Sequence, residues 1–245
     1  MWTSPRGARY RRAPLIDHPV ASALWARQDT TSGPSSTFSV ARTHASITVA
    51  LTDTGHVDVA VRPAGEVAAA SSSVRAMVGL DLHPWVGPHI AHHLAQRIDD
   101  DRTADTIADG NLTTTMQLLV RRTAKRDHQL DPRVVAVIMS IITPSGQDPA
   151  HTPDLSDRSI RRLVRSATGL TPTRLRRTAR AATARGLLQT TAQSLADIAQ
   201  IVGYNDQSHM THDFRALCGY TPAQWQRHTT SWSSTSSPCL GQWHW

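Results

Sequence analysis

Apolar residues follow two different rhythms along the 245 residues of this chain. Up to about residue 130 the pattern is mixed. "SITVAL" and "HVDVAV" flank Asp53-Thr54-Gly55, and Val57, Val59 and Val61 alternate with other residues. Alternation on either side of a glycine-containing turn predicts a β-hairpin with one buried face. The apolar cluster in "PLIDHPVASALWAR" is read as a short helix over Ala21 to Arg27, and Val67 to Ser73 are small residues without a period. "HIAHHLAQRI" and "LTTTMQLLVRRTAKR" show the helical interval, the second with Leu112, Met116, Leu119 and Val120 on one side. Residues 1–130 therefore read as an α+β domain.

From residue 131 the interval is helical, and the helices are short with strong end signals. Asp131-Pro132 sets an N-cap before a proline at the first helical position, ahead of "RVVAVIMSII". Three prolines make "TPSGQDPAHTPDL" a loop or a broken helix. "RSATGLTP" from Arg165 and "RALCGYTP" from Arg215 then share Arg, Gly, Thr and Pro fifty residues apart, and Arg177 and Arg227 repeat at that interval. The shared letters are helix punctuation. Gly169 and Gly219 each supply a left-handed stop, and Thr171-Pro172 and Thr221-Pro222 each supply an N-cap and first position.

The helix ahead of the first stop is capped by Ser156 and turns Ile160, Leu163, Val164 and Ala167 inward. The helix ahead of the second is capped by Asn205 or Asp206 and turns Met210, Phe214 and Leu217 inward. Between the copies, Thr171 to about Gln189 reads as one helix with Leu175, Ala179, Ala182, Leu187 and Leu188 as buried positions. "SLADIAQIVGY" precedes the second copy. Ser194 and Asp197 form a capping box, Leu195, Ile198, Ala199 and Val202 follow the apolar period, and Gly203 breaks the helix. Helix, tight glycine turn and second helix make a helix-turn-helix.

Charge changes the picture. The formal net charge is +7, and Lys125 is the sole lysine among 26 basic residues. An excess of arginine suits a polyanionic partner. Arg158, Arg161, Arg162 and Arg165 share the outward face of the first copy, a repulsive arrangement unless an anion neutralises it. Gln207, Ser208, Thr211, His212 and Arg215 face outward in the second, a set suited to base edges and phosphates.

"SLADIAQIVGYNDQSHMTHDFRALCGYTPAQWQR" resembles the second helix-turn-helix of AraC-type transcription regulators, through its I-A-x-x-x-G-Y turn, D-Q-S helix start, F-R pair and G-Y-T-P. "LSDRSIRRLVRSATGLTPTRLRRTARAATARGLL" is similar to that family's first reading helix and linker helix. The resemblance spans about 131–228 and implies two helix-turn-helix units on one linker helix, binding double-stranded DNA at promoters. It places Arg158, Ser159, Arg161 and Arg162 on the first reading helix, and Asp206, Gln207, Ser208, Thr211 and His212 on the second. His212 stands where the family commonly has Arg. The first unit's scaffold helix falls near Ser145 to Leu155, where Pro149 and Pro153 occur. "VAVRPAG", "LDLHPWVG" and "LDPRV" are similar to the sensor halves of some actinobacterial members, which implies no particular effector.

Other chemistries find little support. Cys218 and Cys239 are the only cysteines, too few for a disulfide framework, a zinc cluster or an alkyl-transfer repair centre. His89, His92 and His93, with His83 nearby, lack the companion ligands of a metal site. No P-loop, nucleophile elbow or dinucleotide fingerprint occurs. Arg6, Arg9, Arg11 and Arg12 precede no apolar signal core, Val134 to Ile142 is too short to span a bilayer, and the Asn111 sequon has no export signal. The expectation is an α+β N-terminal sensor or dimerisation domain (1–130), an all-α DNA-binding domain with two helix-turn-helix units joined by a linker helix (131–228) and a disordered tail (229–245). No catalysis, cofactor, metal or membrane is expected, and the location is cytoplasmic at the nucleoid. RNA polymerase and a small-molecule effector are candidate further partners, and monomer and homodimer both stay open. A non-specific architectural DNA-binding protein is the alternative.

Overall fold

The computed structural model describes residues 8–29, 35–72, 74–124, 131–143 and 155–233. They divide into two units. The described residues of the first fall within Met1–Phe38, His44–Ala64 and Ala68–Leu130; those of the second within Ser39–Thr43, Gly65–Val67 and Asp131–Trp245.

The first unit is built on strands β1 (Ala8–Pro14), β2 (Ala21–Asp29), β3 (Ser35–Ser39), β4 (Ser46–Thr52), β5 (Val57–Arg62), β6 (Ala68–Ser72) and β7 (Val74–Leu82), followed by helices α1 (Pro88–Ile98), α2 (Asp101–Ala108) and α3 (Leu112–Thr123). The main sheet runs β1-β2-β7-β4-β5, and every pairing in it is antiparallel. The expected hairpin is β4–β5, turning at Gly55. Leu24, Ala26, Val78, Leu80, Ile47, Val49 and Leu51 share one sheet face and join the apolar core. The three helices cover strands of this sheet, α1 and α2 on β4 and β5, and α3 on β2 and β7. Leu112, Met116, Leu119 and Val120 all reach that core.

Ala21 to Arg27 is a strand, not the expected helix. Ala23, Leu24, Trp25 and Ala26 are all buried, so both faces of the strand are apolar. Such a strand loses its period-two signature and becomes a continuous apolar run that periodicity cannot assign. On the face opposite the helices, Trp25 lies against Gly79, where an added Cβ would sit 2.2 Å from the indole. Its Nε1 donates to Asp81 (3.2 Å), and Arg12 binds the same carboxylate at 2.9 Å.

The second unit contains α4 (Pro132–Ile142), α5 (Asp157–Thr168), α6 (Pro172–Thr190), α7 (Leu195–Ile201), α8 (Gln207–Cys218) and α9 (Pro222–Ser233). Each N-cap reading is realised. Asp131, Ser156, Thr171, Ser194 and Asp206 all accept a backbone N–H of the following turn. Gly169 and Gly219 close α5 and α8 in the left-handed conformation. α6 buries Leu175, Ala179 and Leu188 as expected, and also Thr178, Ala181, Ala184 and Arg185. Its apolar face meets Ile198, Ala199, Val202, Tyr204, Met210, Phe214 and Leu217 in one core. α9 reaches Ser233, five residues into the stretch expected as tail, and 234–245 lie outside the described residues. So does 144–154, which holds the expected scaffold helix of the first helix-turn-helix.

Candidate nucleic-acid interface

The second helix-turn-helix is complete among the described residues. Ser194 caps α7, and its hydroxyl donates to Asp197 at 2.6 Å. The turn then needs a residue at positive φ. Gly203 supplies it at φ +82, and Gly203 and Tyr204 return their N–H groups to Gln200 and Ala199. A Cβ there would be strained in backbone whatever the space around it. Asp206 caps α8 by accepting from the His209 N–H at 2.7 Å. Of the two cap residues left open by the sequence, Asp206 serves, and its carboxylate is thereby committed to the helix.

On α8, Gln207, Ser208, His212 and Arg215 are exposed and Thr211 is half-buried. At 100° per residue they occupy an arc of about 140°. Met210, Phe214 and Leu217 fill the opposite arc and are buried. Asp213 sits at the seam between the arcs with its side chain 3% exposed. Arg177 of α6 donates to both of its oxygens, Nε to Oδ2 at 2.9 Å and Nη2 to Oδ1 at 2.5 Å. His212 Nδ1 is 3.7 Å and His209 Nε2 4.0 Å from the same carboxylate. The bond to Asp213 raises the affinity of Arg177 for its proton. Burial raises that of the Tyr204 hydroxyl, with Asp213 adding to it.

On α5, Arg158, Arg161, Arg162 and Arg165 are all exposed and fall within an arc of about 100°. None of the four has an ion-pair partner among the described residues. Ser159 is half-buried, and its hydroxyl lies 3.0 Å from that of the cap residue Ser156. Ser159 and Asp206 therefore serve helix caps, whereas the other nine predicted residues form two outward groups, one per reading helix. The sequence reading left out Asp213 and His209, and it noted Arg177 only as a repeated letter. An acidic residue beside the aromatic Phe214 at an inward edge of an amphipathic helix was the available signal.

Elsewhere, His89, His92 and His93 are exposed, and His92 Nδ1 lies 2.8 Å from Pro88 O of its own helix. No group of three or more potential metal ligands converges among the described residues, and no helix there is long and apolar enough to cross a membrane.

Residues 150–228 match a family model described as a helix-turn-helix domain. That stretch carries a helix-turn-helix domain. Three solved structures illustrate what the chain is similar to. The C-terminal domain of AraT, a response regulator from Geobacillus stearothermophilus, is 23% identical over 48% of this chain and 98% of its own, with a TM-score of 0.37. The DNA-binding domain of AdpA, a global transcriptional factor solved with a target DNA, is 25% identical over 44% of this chain and 100% of its own, with a TM-score of 0.37. ToxT from Vibrio cholerae O395 is 10% identical over 90% of this chain and 98% of its own, with a TM-score of 0.43. No curated protein matches the chain.

Proposed function

We propose that the chain is a sequence-specific regulator that sets α5 and α8 in successive major grooves of one duplex. The observation that carries this is the pair of outward groups on α5 and α8, mounted on the single helix α6. Nineteen residues make α6 about 28 Å long, close to the groove repeat of about 34 Å. The arginine face of α5 supplies capture through counterion release, which is insensitive to sequence. Gln207, Ser208, Thr211 and His212 supply base contacts through polar side chains, and Arg215 reaches base or phosphate. Residues 131–228 are the DNA-binding part, and 1–130 is the sensor or dimerisation part, the place for a small-molecule effector.

The test is selection of bound fragments from genomic DNA at physiological salt, followed by footprinting of the winners. The expected result is a shared sequence with two protected patches about one helical turn apart. Random DNA bound as tightly as any selected fragment would reject this function in favour of an architectural protein. The arginine face is the one feature that favours that rival, since it can act without α8.

A further inference from the structure

The two reading helices can be laid over each other by the fifty-residue repeat. Caps then coincide at Ser156 and Asp206, stops at Gly169 and Gly219, and buried centres at Val164 and Phe214. In that register Asp213 corresponds to Leu163, a half-buried leucine. An apolar residue is therefore compatible with this seam of the helix. Nothing in capping or core packing calls for a carboxylate there, and a buried carboxylate is costly unless it is gripped.

What distinguishes position 213 is its partner. Arg177 projects from α6 and holds Asp213 through two parallel hydrogen bonds, the geometry that fixes direction as well as distance. Apolar packing alone lets a helix roll about its axis at little cost. A roll of about 15° moves a side-chain tip at a radius of about 6 Å by about 1.5 Å. That displacement is enough to break a hydrogen bond to a base edge. The groups facing the Asp213 carboxylate are Arg177 from α6, Tyr204 from the turn, and His209 and His212 from α8 itself.

We propose that Arg177 and Asp213 form a latch that fixes the roll of α8 against α6, and that Asp213 is a positioning residue for base preference at the second half-site. This rests on the reading of α8 as a base-contacting helix. Asp213 touches no DNA; it acts through the orientation of Gln207, Ser208, Thr211 and His212. The first copy of the repeat needs no such device, because its arginine face binds phosphate by charge, and Leu163 stands in its place.

The experiment uses the full chain and a fragment preferred by the wild type, together with the same fragment scrambled at the second half-site. The readout is the ratio of the two dissociation constants at fixed salt. Asp213→Leu, which copies Leu163 of the first repeat, is expected to lower that ratio about tenfold. Arg177→Met is expected to do the same. The exchange Arg177→Asp with Asp213→Arg is expected to restore the ratio to within about threefold. A role in stability alone would leave the ratio unchanged in both single variants. A wild type that prefers its fragment while Asp213→Leu prefers it equally overturns the latch alone. Should Asp213→Leu fail to melt cooperatively, Arg177→Met decides, and an unchanged ratio there overturns the latch. A wild type without any preferred fragment overturns the base-contacting helix, and the latch with it.

Discussion

Replacing Arg161 and Arg162 together by alanine tests the electrostatic half of the function. Both side chains are exposed on the middle of α5, and neither has an ion-pair partner among the described residues. Their removal should leave the fold intact, since the helix is held by its Ser156 cap and by buried Val164. Each phosphate contact contributes about 0.9 to the slope of log K against log salt, so losing two lowers the slope by about 1.8. Between 50 and 200 mM salt the wild type should then lose about twelvefold more affinity than the variant. Fluorescence anisotropy on a labelled preferred fragment and on an unrelated duplex, across that range, gives both slopes. The decrement should be equal for the two duplexes, because phosphate carries no sequence information. A slope unchanged by the double substitution would refute phosphate contact by α5. A decrement seen only on the preferred fragment would mean that the arginines read bases.

Gly79→Ala should destabilise the first unit by about 1–3 kcal/mol, because the new Cβ meets an indole that its bond to Asp81 holds in place. A denaturation midpoint equal to that of the wild type would show that Trp25 can move aside. Arg185→Met should leave stability unchanged or raise it by about 1–4 kcal/mol. Arg185 is buried, its Nη1 finds no hydrogen-bond partner among the described residues, and its guanidinium sits over Trp225 at 5.9 Å. Burial, and then the nearby Arg42, disfavour its charge, while the Cys218 thiol beside it favours it; a loss above about 1 kcal/mol in urea titrations would contradict this balance. The first unit should also weaken in acid. Burial lowers the proton affinity of both His18 and His83, so below pH of about 6.5 the unfolded chain takes up protons that the folded one refuses. Stability should be level above neutrality and fall by up to about 1.4 kcal/mol per histidine for each pH unit inside that window. His18→Asn, which keeps an acceptor for the Ala21 N–H, should reduce the fall, and an identical pH profile would rule His18 out.

Local punctuation was legible, and long-range partnership was not. Ser156, Thr171, Gly169, Ser194, Gly203 and Gly219 act within a few residues of themselves, so one sequence window contains both the signal and its effect. The β4–β5 hairpin was readable for the same reason. β2 was misread because its second buried face comes from residues far away in sequence, among them Gly79 and Asp81 of β7. The same limit applies to the interface. The outward groups on α5 and α8 follow from helical spacing alone, but the tie between Arg177 and Asp213 spans thirty-six positions and two helices. Arg185 shows the limit from the other side. Its type argues for the surface, yet the face of α6 turned to Cys218 and Trp225 buries it.

The two copies of the fifty-residue repeat share stops and starts but divide the chemistry. In the fifty-residue register Arg158, Arg161 and Arg162 correspond to Ser208, Thr211 and His212. Counterion release is long-ranged and tolerant of ångström errors, so a helix bound through arginines needs little angular precision. Hydrogen bonds to base edges fail within a fraction of an ångström, so a helix bound through short polar groups needs a fixed roll. The ion pair with its buried carboxylate, Asp213, occurs on the helix whose proposed contacts are directional, and a leucine occupies the place of Asp213 on the helix whose proposed contacts are not. Capture and discrimination are then separable by substitution. Changes on α5 should move affinity and salt response together across all duplexes, whereas changes at the Arg177–Asp213 tie should move preference while leaving the salt slope where it was.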